Sequence, residues 1–217
     1  MDQNMLRSAQ TDLLLVVDVQ MDFCSGGALA VPDGEAVVAP ISRLMDRFPH
    51  VAATQDWHPR GHLSFASSHP GRQPFDTIAA SYGAQTLWPD HCVQDTPGAE
   101  LHPDLRKSPL ELILRKGFRP EIDSYSAFME NDRTTPTGLA GYMRERGFRR
   151  IFCAGLALDY CVRFSVEDAR RLGFESVAIV DACRAIDRNG SLEAAMTGMK
   201  AAGVELTTVA EVEARPA

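Results

Sequence analysis

Four apolar runs in this 217-residue chain each end in a residue able to do chemistry. Leu13–Val17 runs into Asp18, and Val51–Thr54 runs into Asp56-Trp57-His58. Glu111–Arg115 runs into Lys116, and Ile151–Ala154 leads through Gly155 to Cys161. If the runs are parallel strands, all four residues arrive at the carboxyl edge of one sheet, where open α/β folds bind ligands. A carboxylate, a lysine, a thiol and a metal clamp would then share one site. That combination is suited to thiol-mediated amide cleavage.

Cys161 follows Gly155-Leu156-Ala157-Leu158-Asp159-Tyr160 and opens a predicted helix. A thiol there feels the positive end of the helix dipole, which favours thiolate. The unpaired N–H groups of a first turn can also hold an oxyanion. By position alone a buried structural cysteine is the better reading; with Asp18 and Lys116 at neighbouring strand ends, the nucleophile is. Cys24, Cys92, Cys153 and Cys183 lack this setting and read as structural. An odd count of five, without a CxxC pair, argues against a disulfide framework. Lys116 is one of three lysines, with Lys107 and Lys200, and a cation beside a thiol lowers its pKa. Alone it would be a rim salt bridge. Asp18 follows a fully apolar run, and a buried carboxylate is uncommon unless paired; it can take the thiol proton and return it to a leaving amine.

Asp56-x-His58 with His91 offers a carboxylate and two imidazoles, a donor set for Zn²⁺, Fe²⁺ or Mn²⁺. His62, Ser64 and His69 are further candidate contacts. A D-x-H pair is by itself a poor motif, and spacing alone does not reach a metal. Phe23, Trp57, Trp88 and Tyr125 could wall a pocket for a flat ring, although ordinary loop packing explains any one of them. Asp181 also follows an apolar run and reads as structural, holding the loop before the last helix.

The elements that must position these residues alternate in type. Strands are predicted at Leu13–Val17, about His50–Thr54, Glu111–Arg115, Ile151–Ala154, Val177–Val180 and Val204–Val209. Val37, Val38, Ile41, Leu44, Met45 and Phe48 form one helical stripe, which Pro40 either delays or kinks. Thr135-Pro136 predicts a helix start and Gly147 its stop. Cys161–Leu172, with Gly173 behind it, and Ser191–Ala202 complete the helices. The pattern predicts an α/β fold of three αβα layers, a doubly wound, mostly parallel sheet of about six strands. One domain spanning 1–217 is expected, with an active-site insertion at about 55–108 rich in Pro, Gly, His and aromatics.

Net charge is −7, from 22 basic and 29 acidic residues, with no basic face to suit nucleic acid. No apolar run is long enough to span a bilayer, and the polar stretch Met1–Asp12 lacks a signal-peptide core. The default expectation is cytoplasmic.

Six segments together resemble the nicotinamidase/pyrazinamidase family of isochorismatase-like cysteine hydrolases: VVDVQMDF (16–23), TQDWHP (54–59), FASSHP (65–70), WPDHCVQ (88–94), RKGFRPEIDSYSAF (115–128) and GLALDYCV (155–162). The resemblance runs from about Leu13 to Val209. It implies a triad of Asp18, Lys116 and Cys161, and an oxyanion hole from the N–H groups of Ala157 and Cys161. It implies a cis peptide between Leu156 and Ala157. It implies one divalent metal, most often zinc with iron or manganese as alternatives, on Asp56, His58 and His91, helping to hold a pyridine nitrogen. Phe23 and Trp88 match ring-sandwiching positions, with Tyr125 beside them in the substrate pocket. Some members carry another histidine six residues after the D-x-H histidine; here that position is Ser64, which leaves His62, Ser64 or water as the further contact. The implied reaction is hydrolysis of nicotinamide, and of pyrazinamide, through a thioester in NAD salvage. Another amide or ureido hydrolase of the superfamily is the alternative. Small molecules, not nucleic acid or membrane, are the expected partners, with a homo-oligomer left open.

Overall fold

A computed structural model describes residues 10–215. Six strands form one parallel sheet in the order β5-β2-β1-β6-β7-β8: β1 (Asp12–Val17), β2 (Val51–Asp56), β5 (Leu110–Lys116), β6 (Arg150–Leu156), β7 (Glu175–Arg184) and β8 (Glu205–Thr207). The order reverses direction between β1 and β6, the crevice at which doubly wound sheets hold ligands. Every residue of β1 is buried, as expected for a central strand covered on both faces.

Alternation along β1 divides the core into two layers. Leu14 and Val16 face α1 (Val38–Leu44) and α5 (Val209–Glu213), packing with Ile41, Leu44, Val209 and Val212. Leu13, Leu15 and Val17 face α2 (Leu139–Arg146), α3 (Arg163–Arg171) and α4 (Ser191–Ala201), packing with Met143, Val166 and Met199. Among the described residues no helix is long and apolar enough to cross a membrane. The stretch 1–9, which holds most of the polar N-terminal segment, lies outside the described residues.

Several boundaries differ from expectation for local reasons. Pro40 sits in the first turn of α1, where its missing N–H is not needed, so the helix begins late and is not kinked there. Thr135-Pro136 does not start a helix. The Glu130 N–H donates to Thr135 O (2.9 Å) and the Thr135 hydroxyl donates to Asp132 Oδ2 (2.6 Å), a tight loop that postpones α2 to Leu139. Gly147 does end α2, at φ +76°. β7 runs on through Asp181 to Arg184, and the Asp181 carboxylate accepts from Val209 N (2.8 Å) at the start of α5. α5 replaces the end of the predicted last strand, held by a capping box between Thr208 and Glu211. Between β2 and β5 the chain carries an antiparallel hairpin, β3 (Thr77–Ala80) and β4 (Gly83–Thr86), that no apolar alternation announced.

Candidate active site

Register brings the chemistry to one edge. Asp56 on β2 pairs with Lys116 on β5, and Val17 on β1 pairs with Gly155 on β6. Asp18 follows β1 with φ +46°, a left-handed conformation that a short polar side chain tolerates. Thr54 fixes it: the Asp18 N–H donates to Thr54 Oγ1 (3.1 Å), and that hydroxyl donates to Asp18 Oδ1 (2.6 Å). Asp18 Oδ2 lies 2.9 Å from Lys116 Nζ but has no well-aligned hydrogen bond, so a lone pair is left for another proton.

Lys116 is 1% exposed. Its ammonium also reaches Asp56 Oδ1 (2.9 Å), Ser124 O (2.8 Å) and Cys161 Sγ (3.5 Å). Burial works against the charge, but Asp18 and Asp56 hold the lysine well above its ordinary pKa. Thus Asp18, Lys116 and Cys161 come together in one buried cluster.

Cys161 sits in a π-helical turn, Leu158–Val162, that feeds α3, so it lies inside the opening turn and not at its first residue. The peptide bond between Leu156 and Ala157 is cis. The Ala157 carbonyl accepts from the N–H groups of Tyr160 and Val162 (both 3.1 Å). Buried Asp159 ties the turn to the segment before α4, accepting from Ile186 N (3.1 Å), Asp187 N (2.9 Å) and the Ser191 hydroxyl (2.5 Å). Burial pushes the Cys161 thiol well up; Lys116 opposes this, while Asp18 and Asp56 add to it. Burial thus works against the thiolate that a helix N-terminus and Lys116 favour, and the thiol proton needs a base to take it. Burial also raises Asp18, against Lys116 and with Asp56. A carboxylate of raised basicity beside a neutral thiol is an arrangement for general-base activation.

Asp56, His58 and His91 bring three ligand atoms within 4.8 Å of one another. His58 Nε2 is 3.2 Å and His91 Nε2 3.7 Å from Asp56 Oδ2. The other ring nitrogens face carbonyls, His58 Nδ1 that of Gly117 (2.9 Å) and His91 Nδ1 that of Pro89 (2.8 Å). A carbonyl only accepts, so each Nδ1 carries a hydrogen, and in a neutral ring Nε2 then turns its lone pair toward the carboxylate. Three converging lone pairs need a cation between them, and this outer bonding is the pattern of metal-bound histidines. The residues fit a divalent metal. Gly117 is required here: at φ +66°, a Cβ would lie 2.5 Å from His58 Cε1. Burial opposes it, yet the Lys116 ammonium holds the Asp56 carboxyl well below its usual range.

The further contacts divide. Buried His62 packs its ring 4.4 Å from that of His58, and forms a second potential cluster with His58 and Asp123. Its Nε2 faces Arg119 O (2.9 Å) and its Nδ1 the Ser64 hydroxyl (2.8 Å), so Ser64 is engaged with His62. His69 Nε2 faces the Leu63 carbonyl (2.7 Å).

Beside Cys161 opens a narrow pocket lined by Phe23, Trp88, Tyr125, Tyr160, Ile186 and Leu29, with Asp56, His91, Asp123 and Ala157 at its polar side. Trp57 is corrected out of the wall: it is buried under the Arg115 guanidinium, 3.7 Å above its ring. Sequence reasoning overlooked Gln20, whose amide donates to Asp56 O and Ala99 O (both 2.8 Å) and accepts from Asp56 N (2.8 Å). It also overlooked Asp22, which accepts from Cys92 N (2.7 Å) beside His91. Gln20 had a signal, a polar residue two positions beyond Asp18 on a buried run; Asp22 had none.

Residues 12–211 match the family model described as the isochorismatase domain. A nicotinamidase of Acinetobacter baylyi is 52% identical over 200 residues, covering 92% of this chain and 94% of that protein. A solved nicotinamidase/pyrazinamidase of Acinetobacter baumanii superposes with a TM-score of 0.93 at 50% identity, covering 94% of this chain and 98% of that one. The pyrazinamidase of Pyrococcus horikoshii in complex with zinc superposes with a TM-score of 0.73 at 34% identity, covering 91% and 99%.

Proposed function

Because the chain belongs to the isochorismatase family, we propose that it is a nicotinamidase, hydrolysing nicotinamide to nicotinic acid and ammonia, and that pyrazinamide is a second substrate. One observation carries this: Lys116 Nζ reaches Asp18 (2.9 Å) and Cys161 (3.5 Å) beside an aromatic cavity, in a chain 52% identical to a named nicotinamidase.

Asp18 takes the proton of Cys161 as sulfur attacks the carboxamide carbon. Negative charge grows on the amide oxygen, and the N–H groups of Ala157 and Cys161 receive it. Asp18 then passes its proton to the departing nitrogen, which leaves as ammonia, and the acyl group stays on sulfur as a thioester. Water attacks the thioester, Asp18 accepting its proton, and nicotinic acid departs as Cys161 regains the hydrogen. Lys116 offsets the charge that moves between carboxylate and sulfur, so both forms stay tolerable away from water. Phe23, Trp88 and Tyr125 wall the flat ring.

Asp56, His58 and His91 would hold the metal, for which zinc is our assignment, supported by the zinc complex of the Pyrococcus horikoshii relative. When bound, that metal supplies a Lewis-acid contact for the pyridine nitrogen. We further assign the reaction to NAD salvage in the cytoplasm, and the whole chain to one hydrolase domain.

The test is ammonia release from nicotinamide by metal-replete protein, before and after iodoacetamide and in Cys161→Ala. Release that disappears when Cys161 is labelled or replaced supports substrate and nucleophile together. Near-normal turnover by Cys161→Ala refutes the scheme. No release by intact protein redirects the reading to the related amide and ureido hydrolases.

A further inference from the structure

The segment between β7 and α4 supplies a wall of the pocket, Ile186, yet it has little of its own to hold it in place. Residues 187–190 are exposed, and three of the four are left-handed: Asp187 at φ +49°, Asn189 at φ +53° and Gly190 at φ +77°. A chain keeps such a run of conformations only where outside contacts hold it. Among the described residues, every hydrogen bond that residues 186–190 make outside their own segment and α4 goes to one side chain, Asp159. Its Oδ1 accepts from Ile186 N (3.1 Å), and its Oδ2 from Asp187 N (2.9 Å) and the Ser191 hydroxyl (2.5 Å). That hydroxyl accepts in turn from Arg188 N (2.9 Å). On the other side the Arg188 guanidinium lies 3.8 Å over the Phe75 ring.

Asp159 is 2% exposed, and a buried carboxylate is tolerated only where donors surround it. Here three do, and all belong to the segment it holds or to the first residue of α4. Asp159 itself lies in the π-helical turn Leu158–Val162, two residues before Cys161. One carboxylate therefore joins the turn that carries the nucleophile to a wall of the same pocket. We infer that Asp159 is a positioning residue for the substrate: by accepting from Ile186 N and Asp187 N it holds the Ile186 side chain against the bound aromatic ring, in a fixed relation to the Cys161 sulfur. The ring gains apolar contact from that wall only while the segment stays in place. This rests on the nicotinamidase reading above.

The experiment is a double-mutant cycle of Asp159→Asn and Ile186→Ala, read as KM and kcat for nicotinamide with the thermal midpoint of each variant. Asparagine keeps the size but has one accepting atom where the carboxylate uses two, so Ile186 N or Asp187 N loses its partner. Ile186→Ala raises KM about four- to fifteenfold, the worth of one or two methylene groups removed from an apolar contact. Asp159→Asn raises KM about three- to tenfold, with kcat within about threefold of wild type. The double variant has the KM of Ile186→Ala, because Asp159 acts through that side chain. Ser191→Ala removes one donor from the same clamp and serves if Asp159→Asn does not fold; it raises KM about threefold, again only while Ile186 is present. An unchanged KM in the clamp variants, or a rise that persists in the Ile186→Ala background, overturns the inference. So does a fall in kcat larger than the rise in KM, which would put the effect of Asp159 on the Cys161 turn alone. These outcomes are read with an active wild type; no ammonia release from wild type instead fails the nicotinamidase reading, and this inference with it.

Discussion

Lys116 and Asp56 form a buried ion pair with an Nζ–Oδ1 distance of 2.9 Å, while the other oxygen of that carboxylate faces Nε2 of both His58 and His91. One side chain therefore joins the thiol cluster to the metal cluster. The ammonium is also the cation nearest to Asp18. Replacing it with an apolar isostere leaves two buried carboxylates facing each other, at a cost of about 3–5 kcal/mol for an uncompensated buried charge. A dication on Asp56 compensates part of that charge. Lys116→Met should therefore melt well below wild type when chelated and recover part of the loss on adding zinc, with a metal-dependent rise larger than that of wild type. Equal rises in the two proteins would separate the clusters.

Asp18 acts on the thiol in two opposed ways. Its charge helps hold the Cys161 pKa up, and its free lone pair is the place for the departing proton. Asp18→Asn removes both. Without the carboxylate the thiol pKa falls, because a repulsive charge has gone and Lys116 remains. More thiolate is then present at neutral pH, and iodoacetamide labels Cys161 faster than in wild type. Turnover nevertheless drops roughly 10²–10⁴-fold, since nothing protonates the leaving nitrogen. Faster labelling with lost turnover is the expected pair; slower labelling with lost turnover would make Asp18 an anchor for the thiol and not its base.

Asp18, Asp56, Lys116 and Cys161 were legible because each ends or follows an apolar run, and register does the rest. The six parallel strands were legible for the same reason. The partners that hold those four were not. Thr54, Gln20 and the Ser124 carbonyl reach the site from distant positions, through single contacts that leave no periodic mark. The β3–β4 hairpin escaped because its strands show no apolar alternation, with Gln85 as their one buried residue. The capping box at Thr208 and Glu211 was readable, but the apolar stretch from Val204 masked it as strand. Trp57 was misassigned because an aromatic beside a ligand pair can turn either way, and here the Arg115 guanidinium covers it.

Thr54 offers a milder test of how firmly Asp18 is held. Its hydroxyl both donates to Asp18 Oδ1 and accepts the Asp18 N–H. Thr54→Val keeps the shape and deletes both contacts. A hydrogen bond to a charged group contributes about 1.5–3 kcal/mol, so kcat/KM should fall roughly ten- to a hundredfold. The folded core around Thr54 is otherwise unchanged, so metal content measured by elemental analysis should match wild type. A loss of metal in this variant would show that Thr54 supports β2 as a whole and not Asp18 alone.

Gly117 connects backbone conformation to the metal. Its φ of +66° costs a non-glycine residue about 1–2 kcal/mol, and a Cβ there would lie 2.5 Å from His58 Cε1. The imidazole cannot yield without breaking the bond from its Nδ1 to the Gly117 carbonyl, which sets its ring orientation. Gly117→Ala should therefore weaken zinc binding roughly 10–100-fold, the usual effect of losing an outer contact on a ligating histidine. Activity should return when zinc is supplied in excess, because none of the contacts of the Lys116 ammonium is to Gly117. Isothermal titration with zinc and an activity titration against added zinc measure the two halves. Unchanged zinc affinity would mean that His58 is not a ligand, whereas activity that stays low at saturating zinc would mean that the strain at Gly117 has displaced Lys116.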